Sequence, residues 1–375
     1  MNSSTTTIMV LGGYGNFGAR ICRALAGDPT IRLLVTGRSA SKAQRMATQV
    51  GGTAQGLALD HNTVDLSNIL RGHGVDLVIH TAGPFQHQGY GVALACAQAG
   101  AHYIDLADGR RFVCDFPEAL NSAFVAAGRS GICGASTVPA LSSAVVEHLC
   151  EGWQRIDSID ICIAPAQRAP RGQATLAGVL SYCGKEIAVW QGARWQQRLG
   201  WASPEPVHFH RLRSRVGALC DIPDLELFPS HYRVRQRVWF AAALEVSLAQ
   251  WSFAAIAALR ARGLLRQPER LAGLLHRTGG ALDFLGTPLG GMVVHVRGID
   301  GSGMLRHRSW HIAADDDHGP EIPCMAAIVL ARQLAQGKSL PIGAHTSMGL
   351  VPLEAFAPEF AKWAMLTDII EGSAS

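Results

Sequence analysis

The apolar positions in the first third of the chain fall into short unbroken runs. They lie at 8–11 (IMVL), 31–36 (IRLLVT), 56–60 (GLALD), 75–81 (VDLVIHT), 102–106 (HYIDL) and 130–133 (SGIC). The stretches between them read as helices. After residue 16, Phe17, Ile21, Cys22 and Leu25 fall on one face; others open near Lys42, cover 91–99 with alanine, and span 117–127. Buried runs alternating with helices predict parallel strands covered on both sides. From 156 the pattern changes. Residues 158–163 (SIDICI) alternate like a half-buried strand, 173–183 read as a short helix, and 187–195 (IAVWQGARW) as a hairpin turning at Gly192. Segments 293–298 and 308–313 add strands, 199–237 shows no period, and 238–275, rich in Ala, Leu and Trp, reads as helical. The expected class is α/β: a Rossmann-like doubly wound parallel sheet over 1–140, then an α+β domain with a mixed sheet and apolar helices over 141–318 for substrate binding and dimerisation.

The turn after the first run carries the chemistry. Gly13-Tyr14-Gly15-Asn16-Phe17-Gly18 has G-x-G-x-x-G spacing between a strand and a helix. With 41 glycines in the chain the spacing alone is weak, and the weight lies in that context. Gly13 is expected to permit the tight turn, Gly15 to let a pyrophosphate approach the backbone, and Gly18 to bring the helix against its strand. The free amides at the helix start then meet a negative group. The second run ends in Gly37-Arg38-Ser39, with Lys42 opening the next helix and no Asp or Glu at the tip. Arg38, Ser39 and Lys42 suit a 2′-phosphate, so the cofactor reads as NADP(H); Arg38 also reads as a solvated loop cation. By fold analogy Asp60 accepts from the adenine amino group. In such sheets the strand tips (13–18, Arg38, Asp60, 82–85, Asp108, Gly134) face one crevice.

Composition narrows the class without changing it. Of 375 residues, 48% are hydrophobic and 17% charged, a well-buried globular chain for which two domains are natural. A net charge of +4 is too small to argue for nucleic acid. Nine cysteines stand singly with no C-x-x-C, which reads as reduced thiols in a cytoplasmic protein. No signal peptide is expected before the first strand, and Glu245 and Gln250 interrupt the greasiest window, 238–259.

The stretches VLGGYGNFGARI, VTGRSASKA and HTAGPFQHQGYGVALACAQAGAHYIDLADG resemble the NADP-binding domain of saccharopine dehydrogenase-like (saccharopine reductase-like) proteins over about 7–150. The C-terminal stretch, with Gly319-Pro320 and Gly349-Leu350-Val351, resembles a bacterial branch of that family. The resemblance implies a second domain whose mixed sheet caps the nicotinamide, and a C-terminal segment (319–375) returning to the first domain. It places Ala82, Gly83, Pro84 and Phe85 against the nicotinamide ribose, with Phe85 also touching substrate. Many members carry Gly-Glu after the fifth strand, where this chain has Asp108-Gly109-Arg110; an inferred acidic role does not transfer there.

The second half holds no decisive motif. His208/His210 and His307/His311 lack a nearby Cys or carboxylate at ligand spacing, so no metal is expected. Candidate proton donors are His87, Asp108, Tyr182 and His231, with Arg168 and Arg171 as carboxylate clamps; Asp108 and Arg171 are also candidate substrate contacts. Segment 238–275 reads first as a buried helix pair or homodimer face, then as an apolar substrate tunnel. A third reading is a membrane-surface helix over 238–266, where Arg260, Arg262 and Arg266 follow the apolar stretch. The leading function is an NADPH-dependent oxidoreductase transferring hydride to a small or apolar C=N, C=C or C=O bond. Its rivals are an enoyl reductase of a lipid or polyketide intermediate and a non-catalytic NADP-binding sensor or scaffold. A dehydrogenase joining a 2-oxo acid and an amine stands behind these.

Overall fold

Strands β1 (Thr6–Leu11), β2 (Ile31–Gly37), β3 (Gln55–Ala58), β4 (Leu77–His80), β5 (His102–Asp105) and β6 (Ser130–Cys133) form where the unbroken apolar runs lie. They alternate with helices α1 (Asn16–Leu25), α2 (Ala40–Val50), α3 (Leu66–His73), α4 (Gly91–Ala99) and α5 (Arg110–Ala127). The computed structural model describes residues 5–372 apart from His87, Arg171 and Ser203, and apart from the side chain of Ala281. The strands order as β3-β2-β1-β4-β5-β6, and strand Gly343–Thr346 extends the β6 edge. Every pairing is parallel. Because helices cover both faces, Ile8, Met9 and Val10 are fully buried, which is why their run shows no alternation. The strand order reverses between β1 and β4, the switch point where ligands of open α/β sheets bind.

Helix α5 begins seven residues earlier than the sequence suggests, at Arg110, and holds Pro117 inside it. Proline deletes one backbone donor there, but Phe112, Val113, Phe116, Leu120 and Phe124 bury a continuous face that keeps the helix in place.

The chain divides into two compact units, 1–141 with 321–351, and 142–320 with 352–375. The segment 319–375, expected as one returning piece, is therefore split. Helix Ile322–Ala335 packs on α1, where Arg20 pairs with Glu321 at 3.0 Å and Arg332 donates to Ala24 O at 3.0 Å. Past Val351 the chain enters the other unit, and Leu366–Gly372 pairs antiparallel with Leu305–Ala314.

That second unit is built on a mixed seven-stranded sheet. Its order is Glu205–Val207, Arg215–Leu219, Arg237–Ala242, Arg155–Ala164, Gly290–Ile299, Leu305–Ala314, Leu366–Gly372. Only the pairing of Arg237–Ala242 with Arg155–Ala164 is parallel. Residues 238–242 were expected in a helix and instead form this central strand. Val238, Trp239 and Phe240 are buried, and a short apolar run carries no period to tell strand from helix. The helical part of the segment begins with helix Ser247–Ala261. A hairpin of Glu186–Trp190 and Trp195–Leu199 turns through Gly192, as expected. Among the described residues no helix is long and apolar enough to cross a membrane.

One buried carboxyl links this packing to pH. Asp224, in the first turn of helix Asp224–His231, is completely buried; burial pushes its pKa up to about 7, with Ser142 and its own backbone only partly opposing. A carboxyl whose folded pKa is raised stabilises the fold fully below its unfolded value, and that contribution is lost as pH rises to the folded value. Asp224→Asn should therefore melt above the wild type at pH 7, by up to on the order of 4 kcal/mol, with the gap closing toward pH 4. Thermal melts across that range check this; a gap independent of pH would refute it.

Candidate cofactor site

The turn between β1 and α1 is closed by backbone. Gly12, not Gly13, occupies the left-handed region (φ +77°). Gly13 is required by proximity: its N–H donates to Thr36 O at 2.9 Å, and a Cβ there would stand 2.9 Å from Val35 Cγ1. Gly15 N–H donates to Gly12 O at 2.8 Å, while a Cβ on Gly18 would collide with that same oxygen. Gly15 is exposed and serves as the N-cap of α1; no side chain caps the helix, and its first turn has no carboxylate. The helix start thus presents amides to an anion over a floor on which no Cβ intrudes. Asn16 is held on the helix by Arg20, whose Nη1 donates to its carbonyl (2.7 Å) and Oδ1 (2.8 Å). Phe17 is half-buried.

Tyr14 joins this turn to the next strand tip. Its ring lies where a side chain on Gly37 would be, and its hydroxyl accepts from Ser39 N–H at 3.0 Å. Ser39 in turn N-caps α2, accepting from Lys42 N–H at 3.4 Å. Arg38 and Lys42 are exposed. Asp60 lies two residues beyond β3; its Oδ1 accepts from the backbone and side-chain nitrogens of Asn62, both at 3.2 Å. Beside it, burial lowers the pKa of His61, Asp60 opposing and Arg38 adding.

The loop after β4 is pinned from within. Thr81 Oγ1 donates to Leu11 O at 2.7 Å, and Gln88 Nε2 donates to the carbonyls of Ala82 (2.8 Å) and Pro84 (2.9 Å). Phe85 turns inward, 5% exposed, edge-on to His80 and tilted against Phe112. His80 Nδ1 lies 3.2 Å from Tyr103 Oη, and burial lowers its pKa to about 3. Asp105 is fully buried and its Oδ1 accepts from Ala107 N–H (2.9 Å) and Gly134 N–H (2.7 Å), which fixes the chain after β5 and β6. Asp108 is exposed, accepting from Gln86 Nε2 at 3.1 Å.

The remaining candidates scatter. His87 and Arg171 lie outside the described residues. Arg168 is exposed, Tyr182 is buried at the end of helix Gln173–Tyr182, and His231 is exposed with its ring edge-on to Tyr232.

The second unit holds a cavity, with charged and imidazole groups in a largely apolar wall, that the sequence reading did not assemble. It measures about 350 Å³ and is lined by Asp160, Glu205, Arg237, His208, His295 and His307 among others. Arg237 bridges Asp160 (2.6 Å) and Glu205 (2.7 Å), its guanidinium over the Trp239 ring. Burial raises the Asp160 pKa to about 6 against the pull of Arg237. His295 stacks on His307 and meets His311 edge-on; burial and its neighbours' charges lower it to about 4. The signal was present as strand alternation: His295 shares a sheet face with His307 and His311 on the adjacent strand. Among the described residues no group of three or more His, Cys, Asp or Glu side chains is placed to hold a metal.

The parallel sheet of this order, with its glycine turn at the switch point, has the Rossmann-like form in which such turns bind nucleotides. Residues 8–130 match the family model of the saccharopine dehydrogenase NADP binding domain. Apo saccharopine dehydrogenase (L-Glu forming) from Saccharomyces cerevisiae superposes with a TM-score of 0.68 at 12% identity, over 98% of this chain and 100% of that one. At that identity the likeness is one of fold. An engineered D-amino acid dehydrogenase bound to NADP+ aligns with a TM-score of 0.45 at 15% identity, over 95% of this chain and 99% of that one. No curated protein matches the chain in sequence.

Proposed function

We propose that this chain is an NADPH-dependent oxidoreductase that delivers hydride to a C=N, C=C or C=O bond of a small or apolar substrate. One observation carries the reading: the tip after β2 offers Arg38, Ser39 and Lys42 and no carboxylate, next to a helix start that offers amides. The turn from Gly13 to Gly18 would hold the pyrophosphate, with Tyr14, Asn16 and Phe17 shaping it. Arg38 and Lys42 would hold the 2′-phosphate, as charge-assisted bonds to phosphate exceed neutral ones. Ala82, Gly83, Pro84 and Phe85 would border the nicotinamide ribose and Asp60 the adenine. The bound cofactor supplies the hydride, so the protein's task is binding, orientation and exclusion of water.

Titrating the purified protein with NADPH and NADH tests the reading. Tighter NADPH binding, followed by its oxidation with a member of an imine, enone and ketone panel, is the expected result. Binding of neither nucleotide would refute it.

Tyr14 gives a narrower check. Its hydroxyl takes the Ser39 amide, so Tyr14→Phe leaves that donor without its acceptor and loosens the Arg38 tip. The variant should lose about fivefold in NADPH affinity, the value of one hydrogen bond, with NADH affinity nearly unchanged. Fluorescence titration reads both; equal losses would mean that Tyr14 serves the turn as a whole.

A further inference from the structure

Among the described residues, seven of the nineteen exposed large apolar side chains lie between 248 and 285, about a tenth of the chain. Their organising element is helix Ser247–Ala261 of the second unit. Its buried face is Gln250, Phe253 and Ala257, with Phe253 stacked on Trp201. Half a turn round the axis, Leu248, Trp251, Ala255 and Leu259 form a stripe at i, i+3, i+7 and i+11, and all four are exposed. Leu248 is 63% exposed and Trp251 59%; just past the helix, Leu264 is 72% exposed. An apolar helix face is normally covered, and a contiguous uncovered one marks a contact surface.

The charges beside the stripe say what covers it. From 246 to 268 there are three arginines and no Asp or Glu. Arg260 is committed to the carbonyls of Leu180, Ser181 and Cys183, where it closes the end of helix Gln173–Tyr182. Arg262 and Arg266 are exposed beside Leu264. A second copy docking through this patch about a two-fold axis would bring the same arginines with no carboxylate from 246–268 to meet them. Exposed Trp and Leu beside cations fit an anionic lipid interface, where the rings and aliphatic chains enter the acyl boundary and guanidinium groups meet phosphates. The helix has 15 residues, too short for the roughly 20 that cross a bilayer, so it would lie on the surface.

We propose that the 248–266 face of the second unit docks the protein on anionic phospholipid membranes. This surface stands independently of the cofactor reading, and its test uses no turnover. The full chain is sedimented with phosphatidylcholine vesicles, with and without phosphatidylglycerol. It should bind the anionic vesicles, weakly or not at all the neutral ones, and detach as salt rises. Trp251→Ser should lower the partition about tenfold, as loss of one buried aromatic side chain implies, while leaving the melting temperature and NADPH affinity unchanged. Leu248→Ser should act in the same direction. Arg262→Gln with Arg266→Gln should remove most of the preference for anionic vesicles, at roughly fivefold per basic side chain. Failure to bind anionic vesicles, or binding undiminished in Trp251→Ser, would overturn the proposal. So would a concentration-dependent dimer that Trp251→Ser dissolves, which would assign the face to a second copy.

Discussion

Arg38→Glu is expected to invert the nucleotide preference, with the NADPH-to-NADH affinity ratio falling by about 100-fold. Arg38 is exposed at the end of β2, and the loop it occupies is fixed from two sides: Leu59 N–H donates to Gly37 O at 2.9 Å, and Tyr14 Oη accepts from Ser39 N–H. The substitution therefore changes charge on a frame that stays put. On the proposed reading, removing the guanidinium would delete a charge-assisted bond to the 2′-phosphate, and glutamate would add repulsion against it. The same carboxylate can accept from a ribose 2′-hydroxyl, the arrangement of NAD-preferring sites, so NADH binding should tighten. Because the site is open to water, raising salt should erode both the wild-type preference for NADPH and, by screening the repulsion, the variant's preference for NADH. Fluorescence titration at two ionic strengths separates these effects. An unchanged NADPH affinity would make Arg38 a solvated loop cation and leave Lys42 as the remaining basic group of this tip.

How far the sequence could be read follows from how each segment is buried. The strands of the first unit were legible because both faces are covered: β1 and β2 are continuous apolar runs bounded by glycine or polar residues. The strand Gly343–Thr346 (GAHT) was not, since it completes the sheet through backbone pairing with β6 and has almost no apolar pattern. Pro117 hid the start of α5 because the rule that proline ends a helix was outweighed by tertiary packing. In the second unit the strand Arg237–Ala242 was absorbed into a helical reading, its apolar run merging with the helix that follows. At the site, the glycine spacing and Arg38 were visible because they lie on one stretch or at a strand tip. The seat of Tyr14 on Gly37 was not, because it joins residues of two different strand tips. Sequence spacing finds what a local turn must contain; it does not show which side chain comes to rest on which neighbour.

That limit is sharpest at Gly18, where local propensity and the folded turn give opposite answers. By helix propensity alone, Gly18→Ala within α1 gains up to about 1 kcal/mol. In the turn, the new Cβ would collide with the carbonyl of Gly12 and stand 2.7 Å from Thr81 Oγ1. Neither neighbour moves freely. The Gly12 oxygen accepts from Gly15 N–H, and Thr81 Oγ1 donates to Leu11 O. Relief requires α1 to withdraw from β1, which opens the turn and turns the helix-start amides away from the pyrophosphate. The variant should lose about 1–3 kcal/mol of stability, as overpacked sites do, and at least about 100-fold in NADPH affinity. Gly27→Ala is the matched control, since it follows the same helix and a Cβ there meets nothing within 4 Å. Melting curves with and without NADPH read both quantities, because a ligand that binds the folded state raises the midpoint. The wild type and Gly27→Ala should shift upward with NADPH and Gly18→Ala should not; a full shift in Gly18→Ala would mean that the cofactor does not rest on this turn.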